Sequence, residues 1–302
     1  MSVWPKLELK YGLIDGNLIA PNVLVRSAVF SARDFNGHAT REAIAAPEHL
    51  PSNEPYVVVQ KEGERLSQSD AEVFFWLLSR AYKVNPPRSP VQVSFQIGDA
   101  VKELGRARGG KTVKLFEDSL MRLAEAAFSF GKDGGPDVNT KLLVSVERLS
   151  SEAGTSGYHV MLADGVAKLL VGHDWVYLRG HERRAFVGDS LAKALYAFYA
   201  SHETPYAMRW STVQGIMGRN GVGVQDSKWR FALVNALKRV KLATGWFRCE
   251  LATKGDYAGM VVIQKSESSK PPPVPKRKKE SAEKELNTKP SRTKRRWKAI
   301  SN

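Results

Sequence analysis

The residues whose spacing points most directly to chemistry are Gly105, Gly110, Lys111 and Thr112, which satisfy the pattern G-x-x-x-x-G-K-[ST]. In that pattern the backbone N–H groups of a glycine-rich loop cradle phosphates, and the lysine reaches their terminal oxygens. The chemistry needs an apolar strand running directly into the first glycine, with a helix N-terminus aimed at the anion. Here Gly98–Leu104 reads as a helix, and the nearest strand ends near Phe95. A carboxylate for magnesium is poorly supplied, because the best candidate, Glu147 in LLVSVE, sits in a strand-like run. The stretch therefore reads as a turn between two helices that presents Arg106, Arg108 and Lys111 to a polyanion. A P-loop NTPase built on Gly105–Thr112 is the alternative.

Other reactive residue types form no constellation. The six histidines (His38, His49, His159, His173, His181 and His202) show no metal-ligand spacing such as H-x-x-x-H. Cys249 is the single cysteine, which excludes intrachain disulfides and cysteine-cluster zinc sites, and it reads as a buried thiol. There is no nucleophile elbow, and a tyrosine nucleophile of the nicking type would want a histidine-rich metal motif that is missing. Gln92-Val93-Ser94-Phe95 has residue types found in peptides that bind the replication sliding clamp, but it reads as an internal strand. The expectation is a non-enzymatic protein without a cofactor.

Charge supplies the stronger signal. The 302 residues carry a formal net charge of +15. Residues 266–302 hold 12 Lys/Arg and 4 Asp/Glu, so the body keeps about half of the excess without them. A basic body is what polyanion binding requires. No apolar run approaches the roughly 18 residues that a membrane-spanning helix needs. The N-terminal MSVWPKLELK lacks a secretory pattern, and a cytoplasmic location is expected.

The element best suited to a duplex is Gln225–Leu242, QDSKWRFALVNALKRVKL. At 100° per residue Trp229, Leu233, Ala236, Leu237 and Val240 fall in one arc, an apolar face of helical period. Ser227, Lys228, Phe231, Asn235 and Lys238 fall opposite. Asp226 is placed to cap the helix start. Trp246–Leu251 and Gly259–Ile263 follow as short strands joined by a turn at Lys254, Gly255 and Asp256. A helix followed by a two-stranded ribbon is the second half of a winged helix, and a basic outer face suits the major groove.

The same order is legible upstream. Residues 1–21 read as a loosely held arm, followed by strands at Asn22–Ala32 and Pro55–Lys61. Ser69-Asp70-Ala71-Glu72 fits a capping box that opens a helix through Phe75, Trp76, Leu78 and Tyr82. A short strand at Val91–Phe95, a short helix at Ile97–Leu104 and a longer helix at Lys111–Ala127 come next. On the longer helix Phe116, Leu120, Leu123 and Ala127 form the buried stripe, while Lys111, Lys114, Asp118, Arg122 and Glu125 face away. Phe128–Gly131 and Lys141–Leu149 are candidate wing strands. A helix at Asp189–Ser201, a strand at Pro205–Trp210, a helix at Ser211–Met217 and a glycine-rich turn at Gly218–Val224 repeat the series before the long helix. The predicted class is α+β: two tandem winged-helix domains at 22–165 and 166–265, with a disordered basic tail at 266–302.

These residues resemble the TrfA family of plasmid replication initiators. The likeness runs through Arg26-Ser27-Ala28-Val29-Phe30 and Pro55–Val73, and is firmest at Ala200–Tyr206 and at Ser227-Lys228-Trp229-Arg230. It implies a pair of winged-helix domains that bind direct repeats, the iterons, in double-stranded DNA at a plasmid origin. It also implies melting of an adjacent AT-rich region, recruitment of host replicative helicase, initiator and sliding clamp, and dimers that restrain copy number. A clamp-binding peptide is not evident in residues 1–21, and the basic tail has no counterpart in the family.

On this reading Lys114, Arg122, Lys228 and Lys238 fix position through phosphates, Ser227, Phe231 and Asn235 read bases, and Lys111 belongs to the same DNA-binding set. Arg106, Arg108 and Arg219, in turns before the two long helices, add backbone contacts. A winged-helix transcriptional repressor would use the same contacts.

Overall fold

A computed structural model describes residues 3–9, 16–33, 41, 43–133, 137–149, 157–220 and 225–269. The glycines and valines at 221–224, and the basic tail from 270 onward, lie outside the described residues.

The described parts of the N-terminal segment, residues 3–9 and 16–21, belong to the core rather than to a loose arm. Trp4 and Leu7 are buried, with the Trp4 ring edge-on to Tyr82 at 6.1 Å. The Leu7 N–H donates to Asn85 Oδ1 at 2.9 Å. Strand β1 (Leu18–Pro21) pairs antiparallel with Trp175–Leu178, more than 150 residues away. The strand expected over Asn22–Ala32 is instead a helical turn, α1 (Asn22–Val25), and a two-residue strand, β2 (Phe30–Ser31). All four α1 residues are buried, and a continuous apolar run cannot by its period distinguish strand from helix.

Strands β3 (Glu48–Leu50) and β4 (Tyr56–Glu62) pair antiparallel, and β5 (Leu66–Ser67) pairs parallel with β2. Helix α2 (Gln68–Ala81) is capped two residues earlier than the sequence pattern indicated. The Ser67 N–H donates to Asp70 Oδ2 at 2.8 Å, which makes Ser67 the cap and leaves Glu72 for another role. Ala71, Val73, Phe74, Phe75, Leu77 and Leu78 are all buried, so α2 is the central helix of the molecule.

From α2 the chain runs through β6 (Gln92–Gln96), α3 (Ile97–Glu103) and α4 (Gly110–Glu125). Two sheets follow where one ribbon was expected. β7 (Ala127–Lys132) and β8 (Val138–Lys141) join β3 and β4 in a four-stranded sheet ordered β3-β4-β7-β8. β9 (Leu143–Leu149) pairs instead with β10 (Gly157–Leu162), giving the order β6-β10-β9. Phe128–Gly131 is thus no partner of 143–149. Its register lies against β4, with Phe130 opposite Val58, and a pairing choice of this kind is set by long-range contacts that a local pattern does not carry.

The second series is α5 (Gly165–Lys168), β11 (Trp175–Leu178), α6 (Gly180–Arg184), α7 (Ser190–Ala200), β12 (Met208–Arg209), α8 (Trp210–Ile216), α9 (Asp226–Thr244), β13 (Arg248–Leu251) and β14 (Met260–Gln264). Its sheet has the order β12-β14-β13. The path α7-β12-α8-α9-β13-β14 therefore repeats α2-β6-α3-α4-β9-β10, and in each the last strand lies between the other two. The repeats share one continuous core, because α2 packs on α7 and β1 bridges to β11. Among the described residues no helix is long and apolar enough to cross a membrane.

Candidate nucleic-acid interface

Helix α9 stands on α7 and β13 through the apolar arc read from its period. Trp229, Leu233, Ala236, Leu237 and Val240 are all buried. Burying five such side chains stabilises the seating by roughly 1.5–3 kcal/mol for each fully buried aliphatic residue. Gly245, in the left-handed region at φ 69°, closes the helix, and its N–H donates to Lys241 O at 2.9 Å. At the other end Asp226 is the first helical residue, not the cap. The cap is Gln225, whose side chain makes no capping hydrogen bond, and the charge of Asp226 in the first turn favours the helix N-terminus through the dipole.

The opposite face is open. Ser227, Lys228, Asn235 and Lys238 are exposed, and Phe231 is 71% exposed. Turning 100° per residue, these five and Leu242 (85% exposed) fall within an arc of about 100°. No ion pair engages Lys228 or Lys238 among the described residues. No acidic residue lies on that arc, so its charge is uncompensated. An exposed phenylalanine flanked by lysines and an asparagine offers apolar contact for a thymine methyl, amide hydrogen bonds for adenine, and cations for phosphates.

The lead-in to α9 is held from outside it. The Arg33 guanidinium donates to Gly218 O at 3.0 Å and to Asn220 O, stapling the turn in which Arg219 sits half-buried. Arg230 lies over the Trp210 ring at 5.6 Å, tying the start of α9 to α8. Two further cations of this repeat are exposed, Lys241 on α9 and Lys254 in the turn between β13 and β14. Neither was among the candidates read from the sequence. The signal for Lys254 was available, since a lysine beside a glycine turn sits at the tip of a two-stranded ribbon.

The first repeat is different in charge. Lys111 and Lys114 on α4 are exposed, but Asp118 and Glu125 share their side of the helix. That face is close to neutral. Leu115 and Met121, each 51% exposed, flank it. Arg108 is exposed and pairs weakly with Asp99 at 3.4 Å, a contact that a phosphate can displace.

Arg122 and Arg106 turn inward, contrary to the expectation for both. Arg122 sends Nη2 and Nε to Asp70 Oδ1 at 2.7 and 3.1 Å, and Arg41 Nη1 meets Asp70 Oδ2 at 2.6 Å. Burial alone would raise the Asp70 pKa, but the two guanidiniums outweigh it and hold the carboxyl below its ordinary value. Arg106 Nη2 lies 2.8 Å from Glu72 Oε2. Lys193 from α7 lies 2.7 Å from Glu72 Oε1, and Arg183 from α6 lies at 3.7 Å. Burial again opposes ionisation of Glu72, and these three cations bring it down to about 2. Helical period placed Arg122 outward because α4 has no sequence record of α2, whose buried Asp70 recruits it.

Gly105, in the left-handed region at φ 68°, ends α3, and its N–H donates to Lys102 O at 2.9 Å. The loop thus joins two helices, with no strand entering its first glycine. Cys249, on β13, is buried against α9, where its thiol donates to Leu237 O at 3.3 Å, and burial pushes its pKa up to about 12. Among the described residues no cluster of three or more His, Cys, Asp or Glu could hold a metal ion.

A crystal structure of domain 2 and domain 3 of RctB shares the fold, with a TM-score of 0.50 and 13% identity over 83% of this chain and 96% of that one. A second crystal structure of RctB domains 2–3 aligns over 66% of this chain and 79% of that one, with a TM-score of 0.42 and 12% identity. No curated protein sequence matches this one. The family model described as TrfA protein matches residues 12–246, and over that span, which carries both repeats up to the end of α9, the chain belongs to the TrfA family.

Proposed function

We propose that the chain is a plasmid-type replication initiator that binds repeated sequences in double-stranded origin DNA, with α9 as its principal recognition helix. The observation that carries this reading is the outer face of α9, where Ser227, Lys228, Phe231, Asn235 and Lys238 are exposed together without a countercharge. Membership of the TrfA family and the basic body support it. Each repeat is read as a winged helix, at 22–165 and 166–265, and the matching strand orders β6-β10-β9 and β12-β14-β13 support that assignment. β9–β10 and β13–β14 are then the wings.

The two repeats contribute unequally. α9 supplies base readout through Ser227, Phe231 and Asn235, with Lys228 and Lys238 on flanking phosphates. α4, with its near-neutral face, adds positioning through Lys111, Lys114 and Arg108 rather than a second full readout. Arg219 contributes from the turn before α9. Arg106 and Arg122 are assigned to the interior and leave the DNA-binding set. Linking two modules in one chain raises the effective concentration of the second contact. Origin opening, engagement of host helicase and self-association belong to the same proposal, as steps that follow duplex binding.

Selection of bound sites from a random duplex pool tests the reading. A recurring motif that is also repeated at an origin on the same replicon is the expected outcome. Enrichment no greater than that of bulk duplex would remove sequence-specific binding.

A further inference from the structure

A cleft of about 1420 Å³ runs between the repeats, lined by residues of α2, the α3–α4 turn, α6 and the start of α7. Arg183 forms part of its wall and is only 4% exposed. Among the described residues none of its three guanidinium nitrogens has a hydrogen-bond partner. Its nearest carboxylate, Glu72, stands at 3.7 Å from Nη2, beyond hydrogen-bond reach. Glu72 spends one oxygen on Arg106 at 2.8 Å and the other on Lys193 at 2.7 Å. Three cations thus converge on one carboxylate, and two positive charges are left over.

Among the described residues, Glu72 is the one carboxylate in ion-pair range of Arg183, and three other nearby carboxylates are engaged elsewhere. Asp70 is taken by Arg41 and Arg122, Glu103 by Trp76 and Arg80, and Asp189 by Arg239 and the Ala192 N–H. A buried guanidinium with five unused donors is a costly arrangement, stabilised when an acceptor of complementary shape meets it. A tetrahedral oxyanion accepts two parallel N–H bonds from such a fork and tolerates a lysine beside it.

We propose that Arg183, with Lys193 and Arg106, seats the phosphate group of a small phosphorylated molecule in this cleft. The remaining volume is far larger than one phosphate and accommodates the rest of the ligand. Arg183 is buried against α2 rather than on the outer face of α9, so the seat stands whether or not that helix enters a groove. Occupation would add bonds between α6 and α7 of the second repeat and the α3–α4 turn of the first. The ligand would therefore stiffen the junction between them.

The test is titration calorimetry of the full chain with inorganic phosphate in a low-salt chloride buffer, with thermal unfolding as a fold check. One saturable site is expected, together with a phosphate-dependent rise in Tm. Arg183→Gln should weaken binding by about ten- to a hundredfold, the loss of a charge-assisted hydrogen bond. Glu72→Gln should tighten it, by removing the carboxylate that competes with the ligand for Arg106, Lys193 and Arg183. If Arg183→Gln does not fold, Lys193→Met reads the same loss. Phosphate binding that is equal in wild type and in these variants overturns the proposal. So does competition by random-sequence duplex together with loss of duplex affinity in Arg183→Gln, which would make the seat a contact for the DNA backbone. Loss of duplex binding in α9 variants, with phosphate binding intact, supports it.

Discussion

The double variant Lys228→Ala/Lys238→Ala probes the outer face of α9 most directly. Both side chains are exposed, and neither is in an ion pair among the described residues. Ten residues of α-helix separate them by about 15 Å. That span matches phosphates on either side of a major groove about 12 Å wide. Each phosphate contact contributes a slope of about −0.9 in log K against log salt, so losing both should flatten the slope by about 1.8. At 0.1 M salt the same relation gives a loss of about sixtyfold in affinity, shrinking to about ninefold at 0.3 M. Stability should stay within about 0.5 kcal/mol of wild type, because surface substitutions remove no buried contact. Gel-shift or anisotropy titrations at four salt concentrations read the slope, and thermal unfolding reads the fold. An unchanged slope in a folded variant would mean that neither lysine touches the backbone, and the recognition surface would have to be sought elsewhere.

Asn235→Ala should relax discrimination at one base pair by about 1–3 kcal/mol while leaving the salt slope intact, as measured by site selection with both proteins. Asp70→Asn removes the charge that Arg41 and Arg122 share, and should destabilise the fold by about 3 kcal/mol in urea unfolding without altering the salt slope of DNA binding. Glu72 has its folded pKa depressed to about 2 from 4.5, so its contribution is complete above about pH 4.5 and is lost as pH falls toward 2. The acid limb of a stability–pH curve should therefore be shallower in Glu72→Gln, and identical limbs would argue against the ion cluster. Leu237→Ala should cost about 2–5 kcal/mol in urea unfolding, since that side chain is 1% exposed between α9 and its support.

Much of α9 was legible because its information is local. A period of 3.6 residues assigns Trp229, Leu233, Ala236, Leu237 and Val240 to one side wherever the helix ends up, and the polar set to the other. The same holds for the turn at Gly105, where a helix-like run ahead of the glycine already argues against a strand-borne phosphate loop. The failures are long-range. Strand β7 has a clear pattern, but whether it pairs with β9 or β4 depends on residues some 70 positions upstream.

Sequence by itself thus determined the charge of the body, the repeated order of helices and strands, and the two faces of each long helix, because periodicity and composition act within a few turns of chain. Tertiary structure decided which cations remain free. Arg106 and Arg122 carry the same charge as Lys228 and Lys238, yet they face Glu72 and Asp70, a half-buried and a buried carboxylate on α2 that must be paired if they are to stay ionised away from water. It also drew Trp4 and β1 into the core and left Arg183 without an acceptor among the described residues. Each of these outcomes depends on which groups meet across the fold, and that distance in space has no counterpart in the linear order of residues.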